Sequence, residues 1–217
     1  MIVLDPPAKH IWTPFKVVLL SGLSDPASSA LSAVQRTFLD RLAVPEEAKV
    51  YANFPYLPPQ RAEQRAVPLP VASWHNVRQF LGARRSPYRE RAIAHWEALS
   101  CSCDSLLVIT LSCGLEILNV CLSTGLRPPA IDVVALGPVA RSRPPVSHTL
   151  VRGSRDFIRN PLLGAETVLP GVGHLDYLAN PAVLELVNRQ AQRLCETIGL
   201  SKMPVSGPRG TGTDAEE

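Results

Sequence analysis

The chain has 217 residues, of which 46% are hydrophobic and 19% charged, a composition typical of one globular domain and not of a disordered chain. Its formal net charge of +3 is too small to indicate a nucleic-acid partner. The longest apolar stretch, Leu106 to Leu111, is too short to cross a bilayer, so no membrane span is predicted.

The composition of its ends divides the chain into three parts. We expect residues 1–14, which prolines interrupt, to form an irregular arm, and residues 15–201 to form the folded domain. Residues 202–217 are rich in Gly, Pro, Ser and Thr and are predicted to be a disordered tail. The arm does not have the pattern of a secretory leader, and five cysteines, an odd number, indicate free thiols. Both observations favour a reducing, cytoplasmic location.

Strand and helix patterns alternate along the predicted domain. The apolar run from Phe15 to Leu20 predicts a buried strand, and Asp25 followed by Pro26 predicts the start of a helix. The other predicted elements are a strand at 49–54, a proline-rich connection at 55–70, helical sequence at 74–99 with a break at 86–87, a strand at 106–111 with a helix directly after it, strands at 131–136, 148–151 and 167–169, and a helix from 181. The alternation predicts an α/β fold, a mostly parallel central sheet with helices on both faces. In such sheets ligands bind beyond the carboxyl ends of the strands, so functional residues should directly follow strands.

Ser112 directly follows the strongest predicted strand. Gly114 comes two residues later, and a helix begins there. This strand–turn–helix pattern is typical of a nucleophile elbow, in which small neighbours let the strand and helix approach closely. The N–H of Cys113, at the start of that helix, would face a developing oxyanion. Thr110 stands where such an elbow usually has its first glycine, and the alternative interpretation is a serine that only caps the helix.

Two further polar residues follow later strands. Asp156 lies in the loop after the strand at 148–151, where an acid can orient a histidine; the alternative is an ordinary surface ion pair with nearby arginines. His174 lies on a glycine-flanked loop after the strand at 167–169; the alternative is a loop histidine bonded to Asp176.

Ser112, Asp156 and His174 occur in this order along the chain, each after its own predicted strand. In this order the sequence resembles the α/β-hydrolase superfamily. The resemblance covers roughly residues 15–200. It implies that Ser112 is the nucleophile, Asp156 the acid and His174 the base. It also implies a second oxyanion donor from the loop after the first strand, which here is the Leu23 N–H.

The resemblance is to a compact version of that fold. Ser21-Gly22 stands where larger members have His-Gly, their leading strands are absent, and no large lid is inserted between Ser112 and Asp156. A substrate cover would therefore come from Pro55 to Arg91. Asp132 is a weak second choice as the acid, because it lies at the start of its predicted strand and so at the opposite edge of the sheet.

The activity that this resemblance implies is that of a serine esterase or thioesterase, a serine hydrolase that cleaves a carboxylic ester or thioester through an acyl-enzyme on Ser112. No cofactor is required, and no metal is predicted, because Cys101 and Cys103 have no second pair at ligand spacing. An acyltransferase with the same triad and a catalytically inactive binding protein of the same fold remain alternatives.

The expected partner is a small-molecule ester or thioester. Arginines are frequent in the stretches 61–91 and 141–159, which suits an acyl-CoA or carrier-protein-bound acyl group. The alternative interpretation of these arginines is a solvated surface.

Overall fold

The computed structural model describes residues 10–22, 28, 30–53, 69–86, 88–158 and 163–200. In these residues six strands form one parallel sheet in the order β2-β1-β3-β4-β5-β6. The strands are β1 (Phe15–Ser21), β2 (Lys49–Asn53), β3 (Ser105–Leu111), β4 (Ala130–Leu136), β5 (Ser147–Gly153) and β6 (Thr167–Leu169). The predicted α/β class and parallel sheet are confirmed.

Helices cover both faces of the sheet. The α-helices are α1 (Ala33–Asp40), α2 (Leu69–Gly82), α3 (Tyr88–Ser100), α4 (Gly114–Leu122) and α5 (Pro181–Thr197). One apolar core joins α3 and α4 to one face, and the other joins α1 and α5 to the opposite face. Both faces of the sheet are therefore buried under helices, which is the environment in which strands are apolar at every position.

The central strand β3 shows why its sequence is an unbroken apolar run. Leu106 and Val108 pack in the core under α3 and α4, whereas Leu107 and Ile109 pack in the core under α1 and α5. Successive side chains point to opposite faces, so a strand covered on both sides needs apolar residues at every position. β3 ends at Leu111, so Ser112 is the first residue beyond the strand.

One predicted helix boundary differs from the structure. Asp25 and Pro26, where the helix was expected to open, lie outside the described residues, but residues 30–32 are not helical and α1 begins at Ala33. Ser32 and Gln35 form a capping box, in which the Ser32 hydroxyl accepts from the Gln35 N–H at 3.3 Å and the Gln35 amide oxygen accepts from the Ser32 N–H at 2.8 Å. These reciprocal bonds satisfy the free donors at a helix start, so they set the boundary more strongly than an Asp-Pro pair.

The strand order places a crevice between the loops after β1 and β3. The chain passes from β1 outward to β2 and then returns past β1 to β3, which makes this the topological switch point of the sheet. A Cβ on Gly114 would lie only 2.1 Å from the Leu20 carbonyl oxygen, so α4 begins against the end of β1. A Cβ on Gly22 would lie 2.9 Å from Cys113 Sγ, so the two loops are in contact. Glycine is required at both positions by this close approach.

Candidate active site

Ser112 forms a sharp turn between β3 and α4. Its φ of 52° is the only positive φ of a non-glycine residue in the described part of the chain. The turn is held by the end of β4, because the Ser112 N–H donates to the Leu136 carbonyl at 3.2 Å and the Val139 N–H donates to the Ser112 carbonyl at 3.0 Å. Backbone strain of this kind costs roughly 1–3 kcal/mol and persists where the surroundings enforce it. Thr110, at the position where such an elbow usually has its first glycine, is a fully buried residue of β3.

Cys113 lies at the start of α4, and its side chain is buried in the protein. The backbone N–H groups at a helix start have no partner within the helix and carry partial positive charge. Burial raises the pKa of the Cys113 thiol to about 12, and its Sγ contacts the amide oxygen of Gln79 at 3.8 Å. The thiol is therefore protonated at neutral pH and unsuited to act as a nucleophile. Leu23, the other predicted oxyanion donor, lies outside the described residues.

Asp156 and His174 are brought into direct contact from the loops that follow β5 and β6. His174 Nδ1 lies 2.9 Å from one carboxylate oxygen of Asp156 and 3.0 Å from the other. The aspartate side chain is fully buried, and the histidine ring is partly exposed. Because a carboxylate only accepts, Nδ1 carries the proton, and Nε2 of the neutral ring is left as an acceptor.

Tyr177 fixes the aspartate from behind. Its hydroxyl donates to Asp156 Oδ2 at 2.6 Å and accepts from the Gly153 N–H at 2.7 Å. Burial, together with the bond to Asp156, raises the pKa of the Tyr177 phenol far above neutral pH, so the phenol stays a donor. The Ile158 N–H donates to Asp156 Oδ1 at 3.0 Å. The carboxylate is thus fixed on both oxygens while it holds His174.

Gly137 connects the serine turn to the acid–base pair. It follows Leu136, the residue that accepts from the Ser112 N–H, and it has a φ of 54°. A Cβ on Gly137 would lie 2.7 Å from Asp156 Oδ2 and 3.1 Å from His174 Nδ1. The backbone therefore contacts Ser112 at Leu136, the last residue of β4, and approaches the Asp156–His174 pair at Gly137, the next residue. The described hydrogen bonds include none between the Ser112 hydroxyl and the His174 ring.

Sequence reasoning missed Gly137 and Tyr177. Tyr177 follows His174 by three residues in Gly-His-Leu-Asp-Tyr, and nothing in that spacing predicts a hydrogen bond to Asp156. Gly137 directly follows the predicted strand at 131–136, so the rule that functional residues directly follow strands could have identified it. Neither residue carries chemistry of its own, which is why a search for reactive side chains passed them over.

Glu116 is a second polar centre that the sequence did not reveal. Its buried carboxylate accepts from Arg84 Nε at 2.7 Å, from Arg141 Nη1 at 2.6 Å and from the Arg141 backbone N–H at 2.9 Å. It thereby ties the turn after α2 and the loop after β4 to α4. Arg143 pairs with Glu166 at 2.5 Å. Three arginines of the two arginine-rich stretches are thus engaged with carboxylates of the same chain.

Three further findings bear on the predicted classes of site. In the part of the chain that the structure describes, no three His, Cys, Asp or Glu side chains gather where a metal ion could bind. All five cysteines are free thiols. None of the described helices has the length and apolar character needed to cross a bilayer.

Among known proteins, the similarity found is to solved structures. No protein-family model matches the chain, and no curated protein matches it. The chain is similar to the crystal structure of esterase PE8, with 17% sequence identity and a TM-score of 0.49 over 87% of this chain and 96% of that one. The roles of individual residues therefore depend on the geometry of this chain alone.

Proposed function

We propose that the protein is a serine hydrolase that cleaves a carboxylic ester or thioester through an acyl-enzyme on Ser112. The observation that carries the proposal is the left-handed Ser112 turn beside a buried Asp156–His174 pair, with Gly137 between them. A strained serine after a parallel strand exposes its hydroxyl above the sheet. The six-stranded parallel sheet fits the α/β-hydrolase-like fold that the sequence resembles.

In the proposed acylation, Nε2 of His174 takes the Ser112 hydroxyl proton while Oγ bonds to the substrate carbonyl carbon. The carbonyl oxygen becomes an oxyanion and binds the Cys113 N–H and the Leu23 N–H. The bond to the leaving oxygen or sulfur then breaks, and His174 gives its proton to that atom. Asp156 stabilises the transient imidazolium through Nδ1 and keeps the ring in the productive tautomer.

Deacylation repeats these steps with water. His174 removes a proton from the water, whose oxygen bonds to the acyl carbon, and then returns that proton to Ser112 Oγ as the acid departs. Thioesters of acyl-CoA or of a carrier protein are covered by the same chemistry. An acyltransferase differs only in the acceptor, and an inactive binding protein differs in lacking the covalent step.

Covalent labelling by a fluorophosphonate tests the proposal. The probe phosphonylates a serine only when a base activates it, so we expect stoichiometric labelling of the wild-type protein. Ser112→Ala should abolish labelling and lower kcat for p-nitrophenyl acetate by on the order of 10⁵ to 10⁶. The matched control, Ser86→Ala, removes an exposed serine whose hydroxyl donates to Glu90 and should retain both signals.

A folded wild-type protein that neither reacts nor turns over esters or acyl-CoA thioesters would instead support the inactive binding protein. Acyl transfer to an added alcohol or amine at the expense of hydrolysis would support the acyltransferase.

A further inference from the structure

Large apolar side chains stand exposed directly beside the acid and the base. Phe157, the residue after Asp156, is 89% exposed, and Leu175, the residue after His174, is 70% exposed. Ile158 is 51% exposed. Because the Asp156 carboxylate and the His174 ring are in hydrogen-bonded contact, Phe157 and Leu175 lie on adjoining loops beside this pair.

The local backbone holds both side chains outward. Around Phe157, the Asp156 carboxylate accepts from the Ile158 N–H at 3.0 Å, which closes a tight turn. Around Leu175, the Gly173 N–H donates to Asp176 Oδ2 at 2.9 Å and the Asp176 N–H donates to the Gly173 carbonyl at 3.2 Å. Each apolar residue is therefore the tip of a short turn whose two sides are bonded to each other.

The packing of the two cores does not explain why these turns carry apolar residues at their tips. Both cores of the protein are built without Phe157 and Leu175. Exposed apolar side chains on adjoining loops beside an acid–base pair are typical of a surface that a ligand covers. In the proposed mechanism the substrate must approach His174, so the substrate is the ligand that would cover these loops.

We propose that Phe157 and Leu175 bind an apolar substituent of the substrate, so that the enzyme acts on esters or thioesters that carry a hydrocarbon chain. This inference rests on the proposed serine hydrolase function and adds its substrate class. Each methylene that the surface removes from water contributes roughly a fourfold gain in binding. A chain of several carbons beyond the reacting carbonyl gains from the contact, whereas an acetyl ester has no carbons to place there.

The test measures kcat/KM for p-nitrophenyl esters from acetate to decanoate, below the concentration at which they aggregate. The ratio of decanoate to acetate cancels any change in the chemical step that both esters share. In the double variant Phe157→Ser, Leu175→Ser we expect this ratio to fall by about tenfold or more. Each single variant should lower it by a smaller factor.

Ile11→Ser is the matched control. Ile11 is 87% exposed, almost as much as Phe157, but it lies before β1 and therefore at the amino edge of the sheet. This variant should leave the decanoate-to-acetate ratio unchanged. A ratio in the double variant within twofold of the wild-type value overturns the inference, and so does an equal fall in the control.

The same measurements separate this inference from the proposed function. Ester turnover that disappears in Ser112→Ala, together with an unchanged chain-length ratio in the double variant, overturns the substrate class alone. Wild-type protein that hydrolyses none of the esters and escapes fluorophosphonate labelling overturns both.

Discussion

The two edges of the sheet each carry a buried aspartate and a histidine from neighbouring strands or loops. At the carboxyl edge Asp156, 4% exposed, holds the ring of His174. At the amino edge Asp132, 7% exposed, and His148 line an open cleft of about 630 Å³ between β4, β5 and α5. The residue types are the same, yet their hydrogen bonds differ.

At the amino edge each side chain is bonded to local partners. Asp132 Oδ1 accepts from its neighbour's Val133 N–H at 2.8 Å and from the Ser147 hydroxyl at 3.1 Å. His148 Nδ1 donates to the Val146 carbonyl at 2.7 Å. The acid therefore does not orient the imidazole, as Asp156 does at the other edge. An acid and a histidine in the same cleft form an acid–base pair only if the acid is hydrogen-bonded to the imidazole ring.

Replacing each aspartate by asparagine gives the largest expected contrast between the edges. In Asp156→Asn the amide can donate to Nδ1, which favours the wrong tautomer, so kcat should fall by on the order of 10⁴. Asp132→Asn should leave kcat within about twofold, since its side chain faces the opposite edge. Steady-state ester hydrolysis by the two folded variants measures both. Comparable losses in the two variants would mean that the acid has been assigned to the wrong edge.

Gly137 provides a second contrast, again confined to the carboxyl edge. In Gly137→Ala the new Cβ would overlap Asp156 Oδ2 and crowd His174, so kcat/KM should fall by about 10²-fold through misplacement of the pair. Gly125→Ala is the matched control: its φ of 78° is also left-handed, but nothing lies within 4 Å of the new Cβ. Both variants should lose about 1–2 kcal/mol of stability from the backbone, and kinetics beside urea unfolding separates the two effects. A similar loss of kcat/KM in both variants would reduce the role of Gly137 to its backbone conformation.

The sequence predicted those parts of the molecule that short-range patterns control. Apolar runs marked β3 and β4 because a strand enclosed on both faces needs apolar residues throughout, and positions after strands marked Ser112, Asp156 and His174. The start of α1 was mispredicted because it depends on the mutual bonds of Ser32 and Gln35. The links between Gly137 and the pair, and between Glu116 and two distant arginines, join residues far apart in the chain. No local pattern encodes such contacts.

Tyr177→Phe should have a smaller effect that is visible mainly in pH dependence. Removing the hydroxyl leaves more negative charge on Asp156, which holds the His174 proton more strongly. The acid limb of the kcat/KM profile should therefore move to higher pH. The Gly153 N–H also loses its acceptor, at a cost of about 1–3 kcal/mol in stability.

Tyr51→Phe is the control for Tyr177→Phe. The Tyr51 hydroxyl donates to Asp40 Oδ1 at 2.7 Å, and Tyr51 lies on β2, at the end of the sheet opposite β5 and β6. Its pH profile should coincide with that of the wild type. A Tyr177→Phe enzyme that is less stable but keeps the wild-type acid limb would show that Tyr177 supports the fold without tuning the base.

The smallest expected effect concerns the stability contributed by the amino edge. Burial raises the pKa of Asp132, and the hydrogen bonds from Val133 and Ser147 with the charges of His148 and Arg193 only partly oppose it. The folded protein therefore binds this proton more tightly than the unfolded chain, so stability is lost as the pH rises through the folded pKa. Asparagine accepts the same hydrogen bonds and never ionises. Asp132→Asn should accordingly raise Tm at pH 7 by about 2–4 °C, and the gain should shrink as the pH falls from the folded pKa of Asp132 toward about 3.9, below which the carboxyl is protonated in both states. Thermal unfolding across that range shows whether the ionised carboxylate stabilises or destabilises the fold. A gain in Tm that grows toward acid pH would mean that the ionised carboxylate stabilises this edge. The cleft at Asp132 would then be a favourable site for negative charge.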